Sequence, residues 1–579
     1  MRITLSETVF DWTVRKIGVV GPGIVGMPMA ALLADARIKI GSDEPARVVV
    51  IQRNSRNSGW KVDAINQGRS VIGGIEPGLD EITARCVKEG LLSASHDYDS
   101  ISDADVVLIS IQTDKDGFGP DYKPLFEGLD RLAAALQKRP AGKIPLIVFE
   151  STLAPSSMST LIKSHFEKYG LTEGKDILLG NSPNRVMPGR LVERITLADK
   201  LIAGLHPETP RMIHEIYKHI VRKARLHMTN SMTAEVTKTL ENAYRDVRIA
   251  FSAEIARYCD ENNIDFHTLR IEVNKRLQQE DSASANPNEV PCGGILIPML
   301  GVGGHCLPKD GILLWWRKYL AGCDHSNSLI LHSRIINDEA PAKSLTHIKK
   351  AFGHLNIRKI AVLGAAYRFN SEDTRNSPSL QFALLALKDK FDVIIHDPFV
   401  KATDQNLEKL KLTGYFTNDL EIAVSDADCI VLGTAHECYI NKPAELIQKA
   451  NKVKAIYDGC NAFCEPGVVP GHIAYTGIGK GKNEPSQKLV DFTFLSFRLM
   501  EIGIANEVYQ LCEFLNENYA ENDFQQVQFP EVQRLAASCS TGCLIQDTGH
   551  VMDVPEYQGF ASALVEKAYS AGIQTSTPV

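Results

Sequence analysis

The feature that most constrains the fold is a glycine-rich turn near the start of the chain. The apolar run Lys16 to Val20 leads directly into Gly21-Pro22-Gly23-Ile24-Val25-Gly26. A strand, a tight turn and a helix start in this order are typical of a dinucleotide-binding unit, because the glycines let the backbone approach a pyrophosphate. The turn therefore predicts an α/β fold that binds a redox cofactor.

A second glycine-rich segment, Gly301 to Asp310, carries a thiol, a lysine and a carboxylate. It reads Gly-Val-Gly-Gly-His-Cys-Leu-Pro-Lys-Asp, which would present Cys306 as a reactive group. A thiolate can hold an aldehyde as a thiohemiacetal from which a second hydride leaves. Together with a redox cofactor, the thiol predicts oxidation of an alcohol past the aldehyde to an acid.

The composition excludes several other classes of protein. A chain of 579 residues predicts several domains. Its net charge of -7, from 63 basic and 70 acidic residues, indicates neither a nucleic-acid nor a membrane partner. Residues 1–16 lack the apolar core of a signal peptide, and we expect no membrane span. The 12 scattered cysteines favour reduced thiols in a cytoplasmic protein.

Short apolar runs alternate with helical patterns in two regions of the chain. The predicted strands are Ile17 to Val20, Val48 to Ile51, Val106 to Ile111, Ile144 to Phe149 and Ile177 to Leu179, then Lys359 to Gly364, Val393 to Asp397, Cys429 to Leu432 and Ala455 to Asp458. This alternation predicts a doubly wound parallel sheet in each region. Between them, apolar residues at helical spacing predict one long helix from Met232 to Asn262.

These patterns predict an α/β protein with two Rossmann-like doubly wound domains. The first occupies residues 1–205 and the second residues 341–482, joined by a central helical domain at 206–340. Residues 483–579 form an extension that is predicted to be helical from Lys488 to Tyr519 and irregular beyond, with no recognisable chemistry.

The order of motifs resembles that of the UDP-glucose/GDP-mannose dehydrogenase family, the nucleotide-sugar 6-dehydrogenases, over residues 15–480. Besides the two glycine-rich turns, the blocks that carry the resemblance are Ser151 to Pro155, Ser182 to Gly189, Ala234 to Asp246 and Asp373 to Pro378. A single glycine turn would carry little weight, but these blocks in this order are specific. The resemblance implies NAD as cofactor, with NADP open, a UDP-sugar substrate, and a homodimer or higher homo-oligomer built through the long helix.

The resemblance also implies catalytic roles. Cys306 captures the aldehyde, although an isolated cysteine is more often buried and inert. Lys238 and Asn242 lie four residues apart on one helix face; the lysine stabilises alkoxide and oxyanion charge, and the asparagine positions it. Asp310 assists a proton relay through water, and it could also be a helix N-cap. Thr152 lies between cofactor and substrate, although Ser, Thr and Pro are common in turns.

Further contacts follow from the same resemblance. It assigns the cofactor to Gly21, Gly23, Ile24, Val25, Gly26, Gln52, Arg53, Thr113 and Thr152, and the substrate to Asn184, Arg185, Val186, Lys238, Asn242, Gly303, Tyr367 and Arg368. We expect no metal, because Cys539 and Cys543 are two thiols without the second pair of a tetrahedral site.

Asn184 departs from the family pattern, which has a glutamate here for water activation and thioester hydrolysis. Asparagine can orient water but cannot accept its proton. Hydrolysis is therefore expected to be slow or to use another group, either Glu150 or Asp310, and Asn184→Glu is expected to raise a rate that hydrolysis limits.

The end of the second strand also departs from the family. An acidic residue normally holds the adenosine ribose hydroxyls at this position, but the chain has Gln52 and Arg53, with Arg56 close behind. Loss of the carboxylate removes repulsion against a 2′-phosphate, and arginine can bind one. Alternatively, Gln52 still bonds the ribose and NAD remains the cofactor.

A third departure lies in the nucleotide-sugar half. Tyr367-Arg368 replaces an aromatic-lysine pair, and arginine can still hold a diphosphate. Cys460 replaces an arginine and removes a cation. The insert Asp281 to Met299 leaves the shape of the substrate open.

His305 and the run Arg185 to Gly189 are more similar to the branch of the family that acts on UDP-N-acetylhexosamines. We therefore predict oxidation of C6 of a UDP-N-acetylhexosamine, the mannosamine or the glucosamine, to the uronic acid. UDP-glucose is the alternative substrate. A catalytically weakened homologue with a regulatory or scaffold role is a second alternative, supported by the three departures. The retained catalytic constellation argues against it.

Overall fold

A computed structural model describes residues 2–538 apart from 6–8, 57, 74–75, 141, 187–188, 284–292, 464 and 466. Cys539, Cys543 and residues 284–292 of the insert predicted at 281–299 lie outside the described residues. The chain forms two units. Among the described residues, unit 1 comprises 1–241, 313–323 and 508–538, and unit 2 comprises 242–312 and 324–507.

Unit 1 is built on a sheet in the order β12-β11-β10-β9-β6-β3-β4-β5. Its strands, with the hairpins β1-β2 and β7-β8, are β1 (Arg2–Thr4), β2 (Val9–Asp11), β3 (Lys16–Val20), β4 (Arg47–Ile51), β5 (Leu92–Ser95), β6 (Val106–Ile109), β7 (Asp114–Asp116), β8 (Gly119–Asp121), β9 (Leu146–Phe149), β10 (Leu178–Asn181), β11 (Lys200–Gly204) and β12 (Leu226–Asn230). Neighbouring strands are parallel except for β10 and β11, which pair antiparallel. The predicted parallel sheet is thus confirmed, with β11 and β12 added in the opposite direction.

Both faces of this sheet are covered by helices. Successive residues of its strands accordingly belong to two different apolar clusters. In β6, Val106 and Leu108 belong to one cluster, whereas Val107 and Ile109 belong to the other. A strand that is apolar on both faces is typical of a covered parallel sheet. The helices of this region are α1 (Gly26–Asp35), α2 (Trp60–Asn66), α3 (Leu79–Lys88), α4 (Lys123–Leu136), α5 (Lys163–Glu167), α6 (Leu191–Leu197) and α7 (Glu208–Tyr217).

The predicted long helix is confirmed as α8 (Ser231–Glu261). It is followed by α9 (Phe266–Ala283), α10 (Leu307–Leu320) and α11 (Leu329–Phe352). Asn230 caps the start of α8, because its side-chain oxygen accepts the N–H of Thr233 at 2.8 Å.

Unit 2 contains a second sheet, all of whose neighbouring strands are parallel, in the order β15-β14-β13-β16-β17-β18. Its strands are β13 (Lys359–Leu363), β14 (Asp392–His396), β15 (Phe416–Thr417), β16 (Cys429–Leu432), β17 (Ala455–Asp458) and β18 (Ala474–Gly477), and its helices are α12 (Pro378–Lys388), α13 (Gln405–Lys409), α14 (Leu420–Val424), α15 (Glu437–Ile440) and α16 (Pro443–Lys449). Alternate residues again enter two clusters, which confirms the second doubly wound sheet.

The extension contains α17 (Gln487–Tyr519), as predicted, and α18 (Phe529–Ala537), which was predicted to be irregular. That part of the prediction is wrong because Val532, Leu535 and Ala536 follow helical spacing and are buried. None of the described helices is long and apolar enough to cross a membrane.

Candidate active site

The glycine turn stands at the carboxyl end of β3. In the sheet, β3 lies between β4 on one side and β6 on the other. Gly21 has a φ of +91°, and its N–H donates to the carbonyl of Ile51 at 3.0 Å. A Cβ on Gly21 would lie 2.9 Å from the carbonyl oxygen of Ser110, whereas a Cβ on Gly23 would meet no atom within 4 Å. Backbone beside open space at the start of α1 fits a dinucleotide pyrophosphate.

Residues that follow the neighbouring strands stand at the same edge of the sheet. Thr113 and Thr152 follow β6 and β9, and the Thr113 hydroxyl donates to the carbonyl of Thr152 at 2.7 Å. Gln52 and Arg53 follow β4 directly. Val25, which precedes α1, packs on an apolar cluster. The structure therefore brings the predicted cofactor residues to the strand ends that border the glycine turn.

Glu150, next to Thr152, is the centre of a buried polar network that the sequence did not reveal. Its carboxylate accepts from the ammonium of Lys200 at 2.9 Å, from the amide of Asn184 and from the hydroxyl of Tyr217. Lys200 also donates to the Asn184 side-chain oxygen and to the carbonyl of Ser182, each at 3.0 Å. Both Glu150 oxygens are thus engaged.

Burial shifts the pKa values of two groups in this network. Burial lowers the pKa of Lys200 despite the neighbouring Glu150 carboxylate, and it raises the pKa of Tyr217 well above its ordinary value. Asn184 donates to Glu150 and accepts from Lys200 at once, which an ionised glutamate could not do. A charged residue opening the buried strand β11 was the one sequence signal for Lys200.

Lys238 lies in the first part of α8 and is 7 % exposed. Its ammonium makes no hydrogen bond or ion pair with any residue in the described part of the chain. A buried charge without a partner is costly, so such an ammonium suits a site where a ligand supplies negative charge or an acceptor.

Arg185 is held by the extension as well as by α8. Its guanidinium pairs with Glu241 of α8 and donates to the carbonyls of Asp199 and Leu535, at 3.1 and 3.2 Å. Its side chain is only 6 % exposed. Val186 packs against an apolar cluster of the sheet. The substrate contact that the resemblance assigns to Arg185 stays a prediction, and in this structure its charge is balanced by Glu241.

The cysteine turn belongs to unit 2 and packs on the segment Tyr367 to Asn376. A Cβ on Gly304 would lie 2.9 Å from the Tyr367 ring, and a Cβ on Gly303 would overlap Tyr367. The Gly304 N–H donates to the carbonyl of Arg375 at 2.8 Å. Cys306 follows directly, is exposed, and precedes α10. The close packing explains the paired glycines and leaves the thiol accessible.

Asp310 lies within the first turn of α10, so it is not the N-cap of that helix. One carboxylate oxygen accepts the amide of Asn242 at 2.6 Å, and the other accepts the ammonium of Lys309 at 2.6 Å. Asp310 and Lys309 are 0 % and 3 % exposed. Asn242 and Asp310, two of the residues predicted to be catalytic, are thus in direct contact.

In the nucleotide-sugar half, Arg368 is partly exposed and its guanidinium lies 5.7 Å from the centre of the Phe369 ring. Burial raises the pKa of the neighbouring Tyr367. Cys460 is buried in an apolar cluster. Asp458, at the end of β17, accepts the N–H groups of Ala462 and Phe463 at 2.8 and 3.0 Å, which fixes the loop that carries Cys460.

Comparison with known proteins finds one family over most of the chain. Models of the UDP-glucose/GDP-mannose dehydrogenase family match as its NAD binding domain at residues 15–221, its central domain at 232–339 and its UDP binding domain at 361–465.

The match extends over almost the whole length of individual relatives. The UDP-N-acetyl-D-mannosamine dehydrogenase of Pyrococcus horikoshii is 31% identical over 471 residues, covering 80% of this chain and 99% of that protein. Among solved structures, an NDP-N-acetyl-D-galactosaminuronic acid dehydrogenase from Methanosarcina mazei Go1 shares 32% identity with a TM-score of 0.67, covering 81% of this chain and 96% of that one. A UDP-D-ManNAc dehydrogenase structure from P. horikoshii shares 29% identity with a TM-score of 0.66, covering 80% and 99%.

Proposed function

The chain belongs to the UDP-glucose/GDP-mannose dehydrogenase family and is an NAD-dependent oxidoreductase, and from this premise we propose that it oxidises the C6 alcohol of a UDP-N-acetylhexosamine to the uronic acid. The observation that carries the proposal is the exposed thiol of Cys306, set directly before α10 in a turn whose glycines pack on Tyr367. An accessible thiol is what a second oxidation requires.

The reaction has two oxidations with the thiol between them. NAD, when bound, accepts a hydride from carbon. Loss of a hydride and a proton from the C6 alcohol gives an aldehyde, to which the Cys306 thiolate adds while its oxygen takes up a proton, forming a thiohemiacetal. Loss of a second hydride together with the hydroxyl proton gives a thioester. Water then cleaves the carbon–sulfur bond, which releases the carboxylate and regenerates the thiol.

Lys238 is proposed to stabilise the negative charge on oxygen in these steps. The residue is 7 % exposed and its ammonium has no partner among the described residues, so a developing alkoxide would meet a donor that needs no rearrangement. Removal of one such preorganised donor typically costs about a hundredfold to a thousandfold in kcat.

Asp310 is the better candidate for the hydrolytic step than Glu150. Both carboxylates are buried and both oxygens of each accept hydrogen bonds, so their position relative to Cys306 separates the two candidates. Asp310 lies four residues after Cys306 and on the same side of the start of α10. Its contact with Asn242 would hold the carboxylate in one orientation.

The sugar is assigned from similarity. His305 and the run Arg185 to Gly189 resemble the N-acetylhexosamine branch, and relatives of this chain are named for N-acetylated sugars. We further propose that the protein is cytoplasmic and forms a homodimer or higher homo-oligomer. Light scattering of the purified protein would test the oligomeric state.

The experiment follows absorbance of the reduced cofactor with NAD against UDP-N-acetylmannosamine, UDP-N-acetylglucosamine and UDP-glucose. Turnover is expected with an N-acetylated sugar, at two reduced cofactors per sugar, and Cys306→Ser should abolish acid formation. Turnover with UDP-glucose alone would contradict the sugar assignment. No reduction with any of the three sugars would favour the weakened homologue instead.

A further inference from the structure

The segment that follows β4 is rich in cations and has no acid. Residues 52–61 read Gln-Arg-Asn-Ser-Arg-Asn-Ser-Gly-Trp-Lys, with three cations and no carboxylate. Because β4 pairs with β3, the segment borders the glycine turn, and the ammonium of Lys61 donates to the carbonyl of Pro22 within that turn at 3.4 Å. These cations therefore stand where the adenosine half of a dinucleotide would lie.

The inner part of the segment is ordered by its own hydrogen bonds. The Gln52 amide donates to the Ser58 hydroxyl at 2.9 Å, and the Ser55 and Ser58 hydroxyls lie 2.6 Å apart. The Ser58 N–H also donates to the Ser55 hydroxyl at 3.2 Å. Gln52 thus positions two hydroxyls without adding charge, whereas a carboxylate there would repel a phosphate.

The two arginines of the segment are available to an anion. Arg53 is 59% exposed, and its ion pair with Glu127 is 3.5 Å long between two exposed side chains, which is a weak contact. Arg56 is exposed and makes no hydrogen bond or ion pair with any residue that the structure describes. Guanidinium groups bind phosphate through paired hydrogen bonds, so two of them suit a dianion.

We infer that Arg53, Arg56, Ser55 and Ser58 form a subsite for a phosphomonoester, the 2′-phosphate of NADP, so that the protein binds NADP(H) as well as NAD(H). The inference rests on the proposed function, because it places the adenosine ribose of the cofactor beside the end of β4. It goes beyond that function by naming a second form of the cofactor and the side chains that select it.

The test measures dissociation constants of NADH and NADPH for the full-length protein, without sugar, from nicotinamide fluorescence. The NADPH constant is expected within about tenfold of the NADH constant. The double variant Arg53→Gln with Arg56→Gln should raise the ratio of the NADPH constant to the NADH constant at least tenfold, since hydrogen bonds to charged groups are lost. Arg211→Gln on α7, which removes an exposed arginine outside the segment, should leave the ratio unchanged.

A second variant tests the same inference by adding charge. Gln52→Glu should raise the ratio at least tenfold, and 2′,5′-ADP should displace NADPH better than ADP does from the unmodified protein. If the protein binds NADH but the NADPH dissociation constant is more than a hundredfold larger, the inference is overturned and the proposed function stays intact. An unchanged ratio in both variants would also overturn it. Failure to bind either cofactor would contradict the proposed function itself.

Discussion

The two sheets start alike and use their strand ends differently. In each, the first strand ends in a glycine with positive φ, +91° at Gly21 and +98° at Gly364. In unit 1, α1 begins at Gly26 and the backbone at Gly23 faces open space. In unit 2 the corresponding position, two residues after Gly364, is Ala366, which is fully buried. The first turn is open to a ligand and the second is filled by protein.

The residue that follows the second strand of each sheet shows the same contrast. In unit 2 it is Asp397, whose carboxylate accepts the N–H groups of Ala365 and Ala366 at 2.8 and 2.9 Å and contacts His436 Nε2 at 3.0 Å. In unit 1 it is Gln52, in an exposed basic segment. Unit 2 thus has an acidic residue at the position where a dinucleotide-binding sheet typically has one, but its carboxylate is engaged by groups of the protein itself. A motif alone does not tell a binding turn from a structural one; burial does.

Alanine substitutions at Gly364 and Gly23, which hold different positions in their turns, should have the largest effects. Gly364→Ala combines a positive φ with a filled space, so we expect a loss of about 4 kcal/mol in the free energy of unfolding. Gly23→Ala has no such conflict, and its unfolding free energy should change by less than about 0.5 kcal/mol. Its Cβ would occupy the space assigned to the pyrophosphate, so the NADH dissociation constant should rise at least about tenfold.

Urea unfolding and NADH fluorescence, measured on both variants, check this pair. An equal loss of stability in Gly23→Ala would contradict the open space beside Gly23. An unchanged NADH dissociation constant in Gly23→Ala would contradict the placement of the pyrophosphate beside that turn.

The acid of unit 2 offers the next test. Burial alone would raise the pKa of Asp397, but the hydrogen bond from His436 and the N–H groups of Ala366 and Phe399 outweigh it, and the pKa lies below its ordinary value of 3.8. The carboxylate thus contributes stability that is present above that value and is lost as pH falls through the folded pKa.

Asp397→Asn should lower the free energy of unfolding at pH 7 by about 3 kcal/mol, because it leaves buried partners unpaired. The difference from the unmodified protein should begin to shrink below about pH 3.8, as the unfolded carboxylate takes up a proton, and should go on falling through the lower folded pKa. Unfolding curves at pH 7 and pH 3.5 measure it, and a difference that grows on acidification would refute the assigned direction. Asp389→Asn, an exposed site paired with Lys349, is the control.

Local patterns predicted the strands, the glycine turns and α8, because hydrophobic period and glycine position are properties of neighbouring residues. The pairing of Arg185 with Leu535, 350 positions apart, has no local signature. The same holds for Tyr217 and Lys200 around Glu150. Helix α18 escaped prediction for another reason, since its few buried positions lie in a short and otherwise polar stretch.

In the Glu150 network of unit 1, as around Asp397 in unit 2, buried polar groups form hydrogen bonds with each other. Asn184→Glu would set two carboxylates around Lys200 alone, so we expect a loss of about 2 kcal/mol in stability rather than a simple gain in hydrolysis. Adding Glu150→Gln should recover at least half of the loss, because one negative charge then remains. A double-mutant cycle with Glu150→Gln alone measures this coupling. Additive losses would show that the two side chains do not interact.

The smallest effects belong to two threonines that tie strand-end segments together, one in each sheet. Thr113 donates to the carbonyl of Thr152 at 2.7 Å in unit 1, and Thr434 donates to the carbonyl of Ala366 at 2.5 Å in unit 2. Replacement of either by valine keeps the shape and leaves a buried carbonyl without this donor, which should cost about 1 kcal/mol in each case. Only Thr113→Val should also weaken NADH, by a few-fold, since only its sheet has the open turn. If Thr434→Val weakened NADH equally, the strand ends of unit 2 would have to be part of the cofactor site, and the contrast between the sheets would fail.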